Sequence, residues 1–364
     1  MHVNVSRAPA RARKRSRLRY TVPCTSRGTF TPFPPNTIPA SPNLTILHRK
    51  IVKTIFNLHF LTNFGIIIVK PSDEMTNSAK RISQIIALRK RFFASKVGKD
   101  QLLSMIDQAE VGEHVYNSNA IENSTLSLEE TEKILRQIDL DRFISEREIF
   151  EAKNLARVVQ YISSKAPEHQ LDREIILLLH KMLISNIRDE VAGRFRALNE
   201  WVRVGNHIGS APADIEAGIT ALLTTYHSDS SEPITSRLAH FHLEFESIHP
   251  FVDGNGRIGR VLVNYLLIRE GYVPINIAFV DRSRYYDAFS EYHRQQRIKT
   301  MEEIIFRALT NSYHKRLAYL EGREIITLNA YAKKHKLSHA NLINKAKRQT
   351  IGAFVEQGVW RIGD

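Results

Sequence analysis

From Ala79 to about Tyr319, apolar residues return every three or four positions, as in Ile82, Ile85, Ile86 and Leu88 or Ile175, Leu178, Leu179, Met182 and Leu183. That spacing lays one apolar stripe along each of a series of helices, so the expected fold is mostly α. One stretch breaks the period. Between Phe195 and Ile208, Trp201-Val202-Arg203-Val204 alternates and Gly205-Asn206 supplies a turn, which predicts a short hairpin with helices on both sides.

After Glu321-Gly322 the pattern changes. Leu328 to Ala332 predicts a short helix, Ser338 an N-cap, Leu342 to Ala346 a second helix, and Ala353 to Ile362 a small hairpin. Helix, turn, helix and wing form a winged-helix-like unit over residues 323–364, with Lys333, Lys334, Lys336, Lys345, Lys347 and Arg348 on or near it. Two readings stay open for that unit, a DNA-binding surface and a packing or dimerisation appendage with a solvated basic face.

The chain has 364 residues and a net charge of +14, but residues 1–74 carry twelve Lys/Arg against two Asp/Glu, so the rest is nearly balanced. Residues 1–45 are Arg-rich and then Pro/Ser/Thr-rich without any period, and are expected to be disordered. Met75 begins a segment of ordinary composition, so residues 1–74 read either as a basic leader or as upstream sequence translated from a misplaced start. The only cysteine, Cys24, excludes a disulfide or a cysteine-based zinc site within one chain and suits a reducing, cytoplasmic compartment. No apolar run reaches the length of about 20 residues that a membrane span needs, so a soluble protein is expected.

The most informative segment is Ser247-Ile-His-Pro-Phe-Val-Asp-Gly-Asn-Gly-Arg-Ile-Gly-Arg260. Gly254-Asn255-Gly256 allows positive φ and bare, convergent N–H groups, and a strong helical pattern follows from Arg257. A glycine loop that opens a helix attracts phosphate, because unsatisfied N–H groups and the positive dipole end point at it. Arg257 and Arg260 lie three apart, where their guanidinium forks can hold phosphate oxygens. Asp253 adds a single carboxylate, which suits Mg²⁺ held jointly with a nucleotide rather than in an all-protein cage. His249, at the other end of the loop, is placed to take a proton from an incoming hydroxyl.

Together these residues resemble the signature of Fic domain proteins, His-x-Phe-x-Asp/Glu-Gly-Asn-Gly-Arg-x-x-Arg, and every fixed position matches. The resemblance extends over about residues 79–322, divided into an N-terminal helical region at 75–165 and a Fic core at 166–322. It makes Gly193-Arg-Phe-Arg196 and the following hairpin a flap that holds a target segment by strand addition. It implies a protein adenylyltransferase that moves AMP from ATP, with Mg²⁺, onto a Tyr, Thr or Ser hydroxyl. In that scheme His249 is the base and Asp253 the Mg²⁺ ligand, Gly254, Asn255, Gly256, Arg257 and Arg260 bind phosphate, and Tyr286 lies against the base. Ser118-Asn-Ala-Ile-Glu122-Asn123 further resembles the family's inhibitory motif, which pairs Glu122 with Arg260 and displaces the γ-phosphate. Homodimerisation that buries the inhibitory helix is implied by the resemblance alone. Removal of AMP, transfer of UMP or phosphocholine, a toxin with a separate antitoxin, and a DNA-binding regulator acting through 323–364 remain alternatives. Gly256 argues against phosphorylating relatives, which carry lysine there.

Overall fold

The computed structural model describes residues 73–364, apart from 205, 206 and 230. The basic leader expected over 1–74 therefore lies outside the described residues except for Asp73 and Glu74, which begin the first helix. The Gly205-Asn206 turn lies outside them as well.

The predicted helices form. In chain order they are α1 (Asp73–Ser95), α2 (Asp100–Ile121), α3 (Leu128–Leu135), α4 (Glu146–Lys165), α5 (Arg173–Ile184), α6 (Ile215–Ser228), α7 (Ile234–Ile248), α8 (Asn255–Arg269), α9 (Arg282–Gln295), α10 (Lys299–Leu320), α11 (Leu328–Lys334) and α12 (His339–Lys347). Their starts carry the side chains that satisfy the first free N–H groups of a helix. Ser127 accepts from Glu130 N while Glu130 returns a carboxylate to Ser127 N, a reciprocal capping box. Asp172 caps α5 through Ile175 N, and Ser338, the N-cap expected from sequence, caps α12 through Asn341 N.

One cluster of buried apolar side chains runs from Ile85 to Leu320, and a second, smaller one from Leu328 to Ile362. Helix α8 is buried on all sides from Arg257 to Leu267, which is how a helix at the centre of a bundle differs from an amphipathic one at its edge. It packs on α7, α4, α5 and α2. Helix α10 is its counterpart nearer the C-terminus, packed on α1, α7, α9 and the strand Ala353–Glu356.

The expected hairpin is present as two two-residue strands, β1 (Arg203–Val204) and β2 (His207–Ile208), paired antiparallel. Beyond α10, residues 323–364 run β3 (Ile325–Thr327), α11, α12, β4 (Ala353–Glu356) and β5 (Val359–Gly363), with the antiparallel sheet ordered β3-β5-β4. Strand β3 was not visible in the sequence, because three residues are too few to show alternation. The unit is seated on α10 by Asn311, whose side chain accepts from Val355 N and donates to Val355 O as a neighbouring strand would.

Helix α10 also carries a buried charge. The Arg316 guanidinium donates to Asp107 at 2.6 Å and Glu110 at 2.6 Å, both on α2. Removing one partner of a buried ion pair leaves the other charge uncompensated. Asp107 remains partly exposed and is screened by water, so the low end of that penalty applies. We predict that Arg316→Ala lowers unfolding free energy by about 3 kcal/mol in urea titration; a change below about 0.5 kcal/mol, the size of a surface substitution, would contradict the anchoring role.

Candidate active site

Helix α7 ends at His249, whose backbone is left-handed (φ 50°, ψ 61°), and α8 begins after Gly254, also left-handed at φ 82°. A Cβ on Gly254 would lie 2.8 Å from Ile184 Cδ1, so both space and backbone geometry require glycine there. The loop between them is clamped from inside. The buried Asn255 amide accepts from Phe251 N at 2.9 Å and donates to Phe251 O at 2.8 Å. Its side chain is thus committed to holding the loop, and what Asn255 can offer an anion is its backbone N–H at the start of α8.

Phe251 is fully buried and stacks on His180 with ring centroids 3.6 Å apart. His180 accepts from Gly193 N at Nδ1, so Nε2 carries the hydrogen and donates to Asp253 O at 3.0 Å. The other side of the loop is fixed by Arg196, which donates to the carbonyls of His249, Glu200 and Ser210 at 2.7–2.8 Å. Flap and loop are therefore one hydrogen-bonded unit. His207 of β2 adds a contact to Ser247 O at 3.0 Å and stacks on His293.

His249 Nδ1 lies 3.3 Å from Glu246 O. A carbonyl only accepts, so Nδ1 bears the hydrogen and Nε2 keeps its lone pair. Burial pushes the imidazole down to about 4, helped by the Arg196 charge, so His249 is neutral near pH 7. Glu246 is displaced the other way, up to about 8, first by burial and then by the charge of Glu122, and holds its proton.

Arg257 and Arg260 project from the first two turns of α8 and are both buried. Arg257 lies 3.1 Å from Glu151 and 3.3 Å from Asp253. Asp253 is also held by Arg147 at 2.8 Å. Burial raises the Asp253 carboxyl, but Arg257 and Arg147 outweigh it and hold the group below the ordinary aspartate value. Arg260 is enclosed by acceptors: Nε donates to Ser118 Oγ at 2.9 Å, Nη2 to Ser118 O at 2.8 Å and to Glu122 Oε1 at 3.0 Å, and Nη1 to Tyr285 Oη at 3.1 Å. Ser118 and Glu122 thus both meet Arg260, the Glu122 contact being the one the resemblance implied, although Glu122 is the C-cap of α2 rather than part of its last turn. Its carboxylate lies over the start of α8. A Cβ on Gly256 would stand 2.1 Å from Glu122 Oε1.

The structure brings His249, Asp253, Gly254, Asn255, Gly256, Arg257, Arg260, Ser118 and Glu122 into one site. Asn123 does not reach Arg260; it ends α2 at φ 70° and accepts from Arg282 at 2.5 Å. Tyr286 donates to Ile121 O at 3.2 Å beside Glu122, while its neighbour Tyr285 is the buried tyrosine that bonds Arg260. Sequence reasoning missed Tyr285's role, along with Arg147, His180 and Glu246, and placed Arg196 in the flap without the contact it makes to the loop. For the histidine and the arginines the contacts span more than fifty positions, and no local spacing signals them. Glu246 stands three residues before His249, but with His242, Glu244 and Ser247 close by in the same helix nothing in the sequence set it apart.

Among the described residues no cluster of three or more His, Cys, Asp or Glu could hold a metal ion alone. A lone, partly exposed carboxylate beside an anion cradle does fit Mg²⁺ that brings phosphate oxygens with it.

Residues 170–267 match the Fic/DOC family, spanning the flap, α7, the loop and α8. The chain contains a Fic domain. It is 30% identical to the protein adenylyltransferase Fic of Nematostella vectensis over 216 residues, 58% of this chain and 49% of that protein. It is 32% identical to that of Drosophila simulans over 233 residues, 59% of this chain and 46% of the relative. The chain thus spans about half the length of the curated relatives it matches. Among solved structures, a Fic domain containing signaling protein from Bacteroides thetaiotaomicron superposes with a TM-score of 0.60 at 22% identity, covering 66% of this chain and 98% of that one. Fic-1 from C. elegans superposes with a TM-score of 0.59 at 20% identity, covering 76% of this chain and 77% of that one. At those identities the likeness speaks for the Fic helical fold.

The Asn255 clamp generates a prediction. Replacing it by alanine leaves a buried N–H and a buried C=O of Phe251 unpaired, which costs about 1–3 kcal/mol each. We predict that Asn255→Ala loses about 2–4 kcal/mol in urea unfolding; a loss under about 0.5 kcal/mol would show that the amide is not what holds the Fic loop.

Proposed function

We propose that this chain is a protein adenylyltransferase, which transfers AMP from ATP to a Tyr, Thr or Ser hydroxyl of another protein and is held inactive by Glu122. The observation that carries the proposal is the Glu122 carboxylate itself, seated on Arg260 over Gly256. An anion binds well there, and a triphosphate competes for the same donors. The geometry supports the following roles. His249, neutral with Nε2 unprotonated, removes the hydroxyl proton. The N–H groups at the start of α8 and Arg257 stabilise the α-phosphate, and Arg260 orients the β/γ-phosphates. Asp253 would hold Mg²⁺ together with phosphate oxygens, and the ion would supply charge neutralisation for the leaving pyrophosphate; Arg147 must then give up its bond to that carboxylate. Tyr286, part exposed beside Glu122, borders the space where the adenine would lie. The flap leaves Leu198, Trp201 and Ile208 exposed next to two very short strands, a surface suited to an extended segment of a protein substrate. A single cysteine accords with a cytoplasmic setting, and no helix among the described residues is long and apolar enough to cross a membrane.

The test is incubation of wild type, Glu122→Gly and Glu122→Gly/His249→Ala with Mg²⁺ and ATP labelled at the α-phosphate, followed by intact mass. We expect a gain of one AMP unit in the Glu122→Gly protein, little in wild type, and none once His249 is removed. Equal labelling of wild type and Glu122→Gly would remove Glu122 from regulation, whereas release of AMP from a modified target that requires Glu122 would favour the removal reaction.

The pH profile is a separate check. Because folding lowers the imidazole value to about 4, the base is competent above that value and is lost only as pH falls through it. Transfer by Glu122→Gly at saturating ATP should stay level between about pH 6 and about pH 8 and fall off below about pH 5. A rise centred near pH 6.5, the ordinary imidazole value, would show that His249 is not held in this buried state during turnover.

A further inference from the structure

Residues 323–364 hold eight Lys/Arg and three Asp/Glu. All three acids are engaged. Glu324 pairs with Lys334, Asp364 with Lys334 and His335, and Glu356 with Lys315 and Arg361. Lys333, Lys336, Lys345, Lys347 and Arg348 have no ion pair among the described residues, and all five are exposed. They lie on α11, the turn after it, and α12. A protein does not gather five uncompensated cations to strengthen its own fold, since they repel one another; what such a face offers is charge for a polyanion.

The shape narrows the choice of polyanion. Helix α12 buries Leu342 and Ala346 against the small core and turns His339, Asn341, Asn344, Lys345 and Arg348 to solvent. Its nine residues span about 13 Å at the rise of an α-helix, a rod of the right length and width for the major groove of duplex DNA. Asn341 and Asn344 sit one turn apart on that exposed face, and the amide of asparagine is the side-chain group that pairs with adenine edges. The β4–β5 hairpin is used differently. Its tip residue Gln357 donates from N to Glu113 on α2 at 3.0 Å and from Nε2 to Glu132 on α3 at 3.4 Å, so the wing is occupied by the body of the protein and the helix is left as the reading element.

We propose that the α11–α12 face is a DNA-binding surface, with α12 entering the major groove and the five free cations meeting phosphates on either side of it. The proposal is independent of the adenylyltransferase reading, because none of these residues belongs to the Fic site.

The experiment is fluorescence-anisotropy titration of the full chain with a labelled DNA duplex of about 20 base pairs, two helical turns, at several salt concentrations. Five phosphate contacts predict a slope of log affinity against log salt of about −4 to −5. The pair Lys345→Glu with Arg348→Glu should weaken binding at least tenfold and flatten the slope by about 2, and Lys333→Gln with Lys336→Gln should do so more mildly. Lys165→Glu, a surface change on α4, should leave binding unaltered. Circular dichroism and the AMP gain in the Glu122→Gly background should be unchanged in every variant, which separates loss of binding from loss of fold or of transfer. No binding at low salt, or binding indifferent to both pairs of substitutions, overturns the proposal. So does equal binding of a duplex RNA, whose major groove is too deep and narrow for a helix, or equal competition by polyglutamate, which would make the face a site for acidic protein.

Discussion

A guanidinium inside a protein must be surrounded by acceptors, and the rest of this site is arranged around that requirement for Arg260. Ser118 supplies a hydroxyl and a carbonyl, Tyr285 a hydroxyl and Glu122 a carboxylate. Three of the four acceptors remain when Glu122 is taken away, so the arginine stays oriented while its carboxylate partner is missing. An anionic oxygen then finds a preformed fork. This is why one carboxylate can close the site without the site collapsing when it leaves. The position of Glu122 depends in turn on α2, whose N-terminal half is tied to α10 by Arg316 and by Lys315, the latter 3.4 Å from Glu110.

The loops of this protein are held by a device that helices cannot provide for themselves. Asparagine carries a donor and an acceptor in the same geometry as a peptide, so a buried amide can stand in for a missing strand. Asn255 does so for Phe251, Asn264 for Ile275 and Asn311 for Val355, each with one bond to N–H and one to C=O. Asn154 closes the end of α5 by donating to the carbonyls of Leu183 and Ser185. In each case the amide pairs backbone groups that no helix or strand partner satisfies.

Much of this was legible before any coordinates. Helical spacing located the bundle, Ser338 marked a helix start, and the contiguous run from His249 to Arg260 named the anion cradle because its chemistry depends on near neighbours in sequence. The four-residue spacing of Ser118 and Glu122 placed both on one side of α2, and the partner Arg260, 138 positions beyond Glu122, came from resemblance rather than from pattern. What sequence could not supply was the division of labour between similar neighbours. Tyr285 and Tyr286 are equivalent on paper; helix rotation buries the first against His242 and Arg260 and leaves the second at the rim. Asn255 was expected to meet phosphate; its side-chain amide faces inward to Phe251, which leaves its backbone N–H for that role.

The electrostatics of the interior explain why the cradle selects an anion at one place only. His242 and His249 are both pushed by burial to values of about 3 and about 4, and Glu246 to about 8, so near pH 7 all three are uncharged. Tyr285 accepts from Arg260 and therefore donates to His242 Nε2 at 2.7 Å, keeping that histidine neutral as well as placed. The surroundings of Arg260 are then neutral except for Glu122. A second ionised carboxylate at Glu246 would compete for the same guanidinium and weaken the hold on whatever anion occupies the fork. Keeping Glu246 protonated leaves the positive charge of Arg260 directed at a single position, the one that Glu122 fills in this structure and that a phosphate would need.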